Sequence, residues 1–179
     1  MIAAQVVIAL QTVVARSIDP MQTAVVTVGA FNAGHAANVI PESARLQISV
    51  RSFDPGVRTL LEARIRALTD AQAGAYGARV EIEYVPGYPV VINSQVETEL
   101  ALQVARELVG DDRVVDNFGP IAGSEDFAYY LQKKPGCFLR LGNGEGAPML
   151  HNASYDFNDD NLTVGAAYWT RLVERFLAQ

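Results

Sequence analysis

A chain of 179 residues that is 50% hydrophobic and 19% charged is long enough for one compact domain or two small ones, each with its own core. Two histidines, one cysteine and a net charge of −6 exclude an internal disulfide framework and a multi-cysteine zinc site, and no basic cluster larger than Lys133-Lys134 is available for nucleic acid. No apolar run approaches the roughly 18 residues of a transmembrane helix, and MIAAQVVIALQTVVAR has neither the basic start nor the cleavage site of a secretory signal, so a reducing, cytoplasmic setting is expected.

Residues 2–16 read as a helix of Ala, Val and Leu with almost no polar face, which predicts cover on most sides. Residues 23–31 (TAVVTVGAF) are rich in β-branched side chains and predict a strand. The turn-prone Asn32-Ala33-Gly34 leads into AGHAANVIPE, interrupted by Pro41. A second strand over 44–53 alternates strictly, with Ala44, Leu46, Ile48 and Val50 on one face and Arg45, Gln47, Ser49 and Arg51 on the other. Asp54-Pro55 supplies an N-cap and a first-turn proline for a helix striped by Val57, Leu60, Leu61, Ile65 and Leu68. That helix stops around Gly74 to Gly77, and 79–85 (RVEIEYV) alternates again as a third strand, with Val80, Ile82 and Tyr84 inward. Helix, strand, strand, helix, strand is the ferredoxin-like βαββαβ order without its first strand. That strand normally lies inside the sheet, so an open seam is expected. The sequence then reads as beginning partway through a larger protein, or as a short protein whose seam takes a partner's strand.

Charge changes near residue 90. Residues 1–92 balance seven basic against seven acidic side chains, whereas 93–179 carry thirteen acids against seven bases. With Pro86-Gly87-Tyr88-Pro89 and Asn93-Ser94 at the junction, two units are expected, 1–92 and 93–179. In the second, Ser94-Gln95-Val96-Glu97 reads as a capping box opening a helix to about residue 109, closed by Gly110. Val114-Val115 reads as a short strand, Ser124 as the cap of a helix to about Lys133, and 136–142 (GCFLRLG) as a buried strand. A glycine-rich loop, 142–147, precedes Met149-Leu150-His151. The last helix runs from about Asp160 to Leu177, with Leu162, Trp169, Leu172, Val173 and Phe176 available for packing. Helices alternating with short apolar strands imply an α/β layer.

The catalytic inventory is small. His151, between a short apolar stretch and a polar turn, suits a transition metal, yet one imidazole is not a site and a hydrogen-bonded structural histidine is the plainer reading. Glu125 and Asp126 lie at a helix start, where the dipole favours acids in any case. Arg51 ends an alternating strand and has the fork to hold a carboxylate, and Asn38 offers an amide to an oxyanion, although an exposed strand arginine and a turn asparagine are the plainer readings. His35 shares the Asn38 loop, as a surface residue or a pocket donor. Cys137 reads as an inert buried thiol. No Gly-x-Ser-x-Gly elbow and no phosphate-binding glycine loop occur.

In order and spacing, ALQTVVAR, AVVTVGAF, NVIPESARLQISVRSFD, the GYP turn, GSEDFAYYL, PGCFLRLG and LHNASYDFND resemble one family. It is the aminoacylase/carboxypeptidase-G-type metallopeptidases, in the amidohydrolase branch with hippurate hydrolase and indole-acetyl-amino-acid hydrolases. The resemblance implies a lid and dimerisation domain over 1–92, the C-terminal segment of an α/β catalytic domain over 93–179, and a homodimer formed through the lid. It also implies two divalent metals (zinc, manganese, cobalt or nickel) in the intact enzyme and a small N-acyl amino acid as substrate. By the same resemblance His151 matches a metal-ligand histidine, Asn38 the lid asparagine near the substrate, and Arg51 the arginine that grips its carboxylate. The resemblance also implies that the GSEDF segment lines the catalytic cleft, with Asn38 and Glu125 as candidate catalytic residues. The family's other metal ligands and its general base have no counterpart here, so this chain alone is expected to be inactive and to hold no metal stably. A non-catalytic dimerisation or binding remnant is the other expectation.

Overall fold

The computed structural model describes residues 1–178. They divide into two compact units, Met1–Gly87 and the residues from Tyr88 on, a division five residues ahead of the position read from charge and turn signals.

In unit 1, helix α1 (Ile2–Ser17) is followed by strands β1 (Ala24–Asn32) and β2 (Arg45–Ser52) and by helix α2 (Pro55–Gly74). The strands pair antiparallel, from Ala24 with Ser52 to Asn32 with Arg45, and the register slips between Val28 and Ala30. Gly29 sits at that slip, where a missing side chain eases a bulge. Because successive side chains leave a strand on opposite faces, the apolar positions of both strands gather on one side of the sheet. Val26, Val28, Leu46, Ile48 and Val50 lie there, under Val6, Leu10 and Val13 of α1 and Val57, Leu61 and Ile65 of α2. The carboxylate of Asp54 caps α2 by accepting from the Val57 amide at 2.8 Å, with Pro55 in the first turn.

Two expectations for this unit are corrected. Helix α1 is buried along one stripe only, and Ile8 remains 62% exposed, because the sheet and α2 cover a single side. Residues 79–85 form no strand. Val80, Ile82 and Tyr84 are half-buried and Arg79, Glu81 and Glu83 exposed, as a strand would have them, yet the sheet has only two strands. A ladder needs a neighbour as well as an alternating side-chain pattern. In the βαββαβ order the neighbour of this segment is the first strand, which the described residues do not contain.

Unit 2 is built on α3 (Gln95–Val109) and α5 (Asp160–Leu177), with a 3₁₀ turn at Asp111–Arg113 and a short helix α4 (Phe127–Leu131). Helices α3 and α5 are joined at the buried Tyr168, whose hydroxyl donates to the Ala101 carbonyl at 3.2 Å, and by Arg175 with Glu107 at 2.7 Å. Expected strands at 114–115 and 136–142 are absent among the described residues. The Val114 amide closes the 3₁₀ turn onto Asp111, and Val115 is exposed. Segment 136–142 is held by a side chain in place of a ladder. The Asn93 amide donates to the Phe138 carbonyl and accepts from the Phe138 amide, both at 2.9 Å, while the Ser94 amide donates to the Gly136 carbonyl. Ser94 forms no capping box, since its hydroxyl accepts from the Gly136 amide at 3.1 Å.

Helix α4 spans five residues, not 124–133, because Gly123-Ser124 disfavour helix on one side and Pro135 restricts Lys134 on the other. Tyr168 is the buried residue of α5, while Leu162, Trp169, Val173 and Phe176 stay exposed. The class is mixed α/β, as read from the sequence, with all described strands in unit 1. None of the described helices is long and apolar enough to cross a membrane.

Candidate functional site

Asn38 lies in the loop joining β1 to β2, in a turn where the Val39 amide donates to the Ala36 carbonyl, and its side chain is exposed. The same loop shapes an open cleft of about 380 Å³ lined by His35, Val39, Ile40, Glu42 and Ser43. Gly34, at φ +69°, lets the chain fold back on Pro41, and a Cβ there would sit 3.4 Å from the proline ring. Sequence reasoning left His35 undecided. It is exposed, on the wall of this cleft.

Arg51 is at the other end of the hairpin. Asn32 and Arg45 are the pair next to the loop, and Arg51 pairs with Val25 six residues further along β2. At 3.2–3.4 Å per residue that is roughly 20 Å of strand between the loop and the guanidinium's anchor. Asn38 is thus carried by the connecting loop, and Arg51 is anchored near the end of β2 away from that loop.

His151 has the one positive φ among the described non-glycine residues, +66°. That conformation costs an ordinary residue about 1–2 kcal/mol. It persists because the loop around it is fastened. Asn143 donates to the Asp156 carbonyl at 2.7 Å and accepts from the Asn158 amide at 2.8 Å, and Asn161 donates to the Gly142 carbonyl at 3.0 Å. The Asn152 carboxamide accepts from Ser154, two residues on, and closes a further turn. These asparagines were not singled out from sequence. Their one signal is asparagine recurring beside the glycines of 142–146, where side-chain-to-backbone turns form.

Glu125 is half-buried just ahead of α4, and its carbonyl accepts from the Ala128 amide. Asp126 occupies the N-cap position of α4 without a side-chain capping bond. Cys137 is half-buried where burial was expected, and its sulfur accepts from Asn93 at 3.5 Å. Among the described residues no three His, Cys, Asp or Glu side chains gather to hold a metal ion. A divalent centre of three or four ligands therefore does not fit these residues by themselves, with His151 the one imidazole presented from a strained loop.

The hairpin fold and the fastened histidine loop together carry the motifs of a known class. A sequence profile of Peptidase family M20/M25/M40 matches residues 4–175, and the chain belongs to that family. It is 38% identical over 175 residues to the hippurate hydrolase of Campylobacter jejuni, covering 98% of this chain and 45% of that protein. It is 33% identical over 167 residues to the N-acetyl-L-cysteine deacetylase of Bacillus subtilis, covering 93% of this chain and 39% of the relative. A solved Bacillus subtilis structure, described as a dinuclear metal binding peptidase from the M20 family, superposes with a TM-score of 0.75 at 30% identity. The match covers 99% of this chain and 45% of that one. The chain spans about half the length of the relatives it matches.

Proposed function

We propose that this chain provides the substrate-gripping lid and one metal-ligand histidine of an amidohydrolase acting on small N-acyl amino acids. The observation that carries the reading is the alignment of nearly the whole chain with hydrolases of such amides, together with the strained, fastened backbone at His151. Strained backbone held in place by surrounding structure clusters at functional sites. Unit 1 is the lid and the dimerisation surface, and unit 2 is the C-terminal segment of the catalytic domain.

Hydrolysis adds water across the C–N bond, so negative charge grows on the carbonyl oxygen before the amine leaves with a proton. In this reading the Asn38 carboxamide donates to that oxygen, and Arg51 holds the free carboxylate through two parallel N–H bonds. Glu125 lines the cleft. Arg51 is anchored roughly 20 Å of strand away from the start of β2, where the loop carrying Asn38 ends, a long reach for one small substrate within one copy. A two-fold homodimer, each lid loop reaching its partner's cleft, removes the difficulty.

The test is a chimera in which residues 4–175 replace the matched region of the Campylobacter jejuni hippurate hydrolase. It should hydrolyse hippurate and lose activity on His151→Ala, whereas residues 1–179 alone should not turn over hippurate with added zinc or manganese. A folded chimera without activity, or one indifferent to His151→Ala, refutes the assignment.

A further inference from the structure

We infer that the loop between β1 and β2 carries a recognition cleft for a short aliphatic chain ending in a primary ammonium, which makes N-acyl amino acids with a lysine-like side chain favoured substrates. The cleft is the open one of about 380 Å³ behind Gly34 and Pro41, a volume in the range of small-molecule sites. Two kinds of group line it. Val39, Ile40 and Pro41 supply carbon, and Ile40 is 93% exposed on the loop. His35, Glu42 and Ser43 supply polar atoms, and none of these three side chains has a hydrogen bond or ion pair to a described residue. The shape is held by backbone, through the positive φ of Gly34 against the Pro41 ring and the turn from Ala36 to Val39.

The lining dictates the ligand's chemistry. Glu42 is the one acidic side chain of the cleft and no Lys or Arg lines it; Arg45, three residues on, is outside. A carboxylate, a neutral imidazole nitrogen and a hydroxyl oxygen all accept hydrogen bonds, and an ammonium offers three donors and no acceptor. An anion in the same place would meet the Glu42 carboxylate at like charge. The carbon walls suit methylenes, as apolar surface does along the stem of any lysine. Asn38 lies on the same loop, so the cleft travels with the residue assigned to the substrate amide. The step from ligand to substrate rests on the hydrolase reading, whereas the cleft itself does not.

The probe for the cleft is n-butylammonium, titrated into residues 1–179 while the NMR signals of 34–43 are followed, with butyrate as the anionic control. Butylammonium should shift His35, Val39 and Ile40 saturably and butyrate should not. Glu42→Gln should weaken binding by about tenfold or more, the loss of one charge-assisted hydrogen bond. His35→Lys, which places a cation in the cleft, should abolish it. The probe for the substrate is the hippurate hydrolase chimera given Nα-benzoyl-lysine and N-benzoyl-norleucine, which lacks the ammonium. Its kcat/KM should favour the lysine compound by about tenfold, and Glu42→Gln should erase that ratio. No saturable shift, an equal response to butyrate, or binding that survives Glu42→Gln overturns the cleft. A chimera active on both compounds without preference overturns the substrate assignment. A chimera inactive on hippurate as well refutes the hydrolase reading and takes the substrate assignment with it, while the titration still decides the cleft.

Discussion

Arg51 and Asn38 are the residues on which the proposed chemistry turns, and each is open to a substitution that keeps the hairpin. In the hippurate hydrolase chimera, Arg51→Lys leaves one positive charge but no fork. Loss of such a pair at a desolvated site costs on the order of 2–5 kcal/mol, read as a fall in kcat/KM for acyl amino acids but not for their amides. Asn38→Ala should lower kcat by about 10²–10³-fold with little change in KM, the mark of a donor used only as the oxyanion forms. Tyr168 offers a different check. Burial, with a smaller contribution from Cys137, pushes its hydroxyl up from 10.0 to about 12. The folded state thus holds a proton that the unfolded chain gives up, so this contribution to stability is complete below pH 10 and is lost as pH climbs toward 12. Urea titrations across that window should show a steeper alkaline loss for the native chain than for Tyr168→Phe.

Among the elements, α2 is the one whose limits come most directly from local chemistry. Asp54→Ala should remove the cap on Val57 and destabilise the chain by about 1 kcal/mol, with Asp54→Asn recovering most of it, as measured by chemical denaturation. The same local logic made α1, α2, α3, α5 and the β1–β2 hairpin legible in the sequence, since a helix or a hairpin satisfies its own backbone within a short stretch. It failed where the partner is distant. Residues 79–85 carry the right alternation and 136–142 the right apolar run, but one finds no neighbouring strand and the other is tied to Asn93, more than forty residues away. Ser94 failed for a related reason: its hydroxyl had a capping role available and was taken by Gly136. Asn38, Arg51, Glu125 and His151 stand out through the family resemblance, whereas type and spacing alone favour a turn asparagine, a strand arginine, a helix-start acid and a structural histidine. The distance along the hairpin and the asparagine fastening of the His151 loop were not legible, because both are properties of a folded backbone.

At the scale of the whole molecule, the sheet of unit 1 ends in two open edges and α5 leaves Trp169, Val173 and Phe176 exposed on one helix. Isolated exposed side chains are ordinary, whereas a stripe repeated along a helix, and free strand edges, favour association. A chain of 19.4 kDa should therefore register in light scattering at twice its mass, independent of salt, as expected of a two-fold contact made by backbone and apolar surface. A monomer at micromolar concentration would count against each lid loop serving its partner's cleft.

The fastening of the histidine loop also gives the protein a chemical clock. Asn143 precedes Gly144, the pairing most prone to cyclise, because the unhindered glycine amide nitrogen attacks the asparagine side chain and expels ammonia. In the fold that side chain is engaged at both ends, by Asp156 and Asn158, and cannot swing onto its own backbone. Ageing at position 143 therefore proceeds only while the loop is open. The resulting carboxylate can no longer donate to the Asp156 carbonyl, so each event loosens the segment that carries His151. The rate at which the peptide containing residue 143 gains acid, followed by mass spectrometry in native buffer and in urea, counts how often the loop lets go.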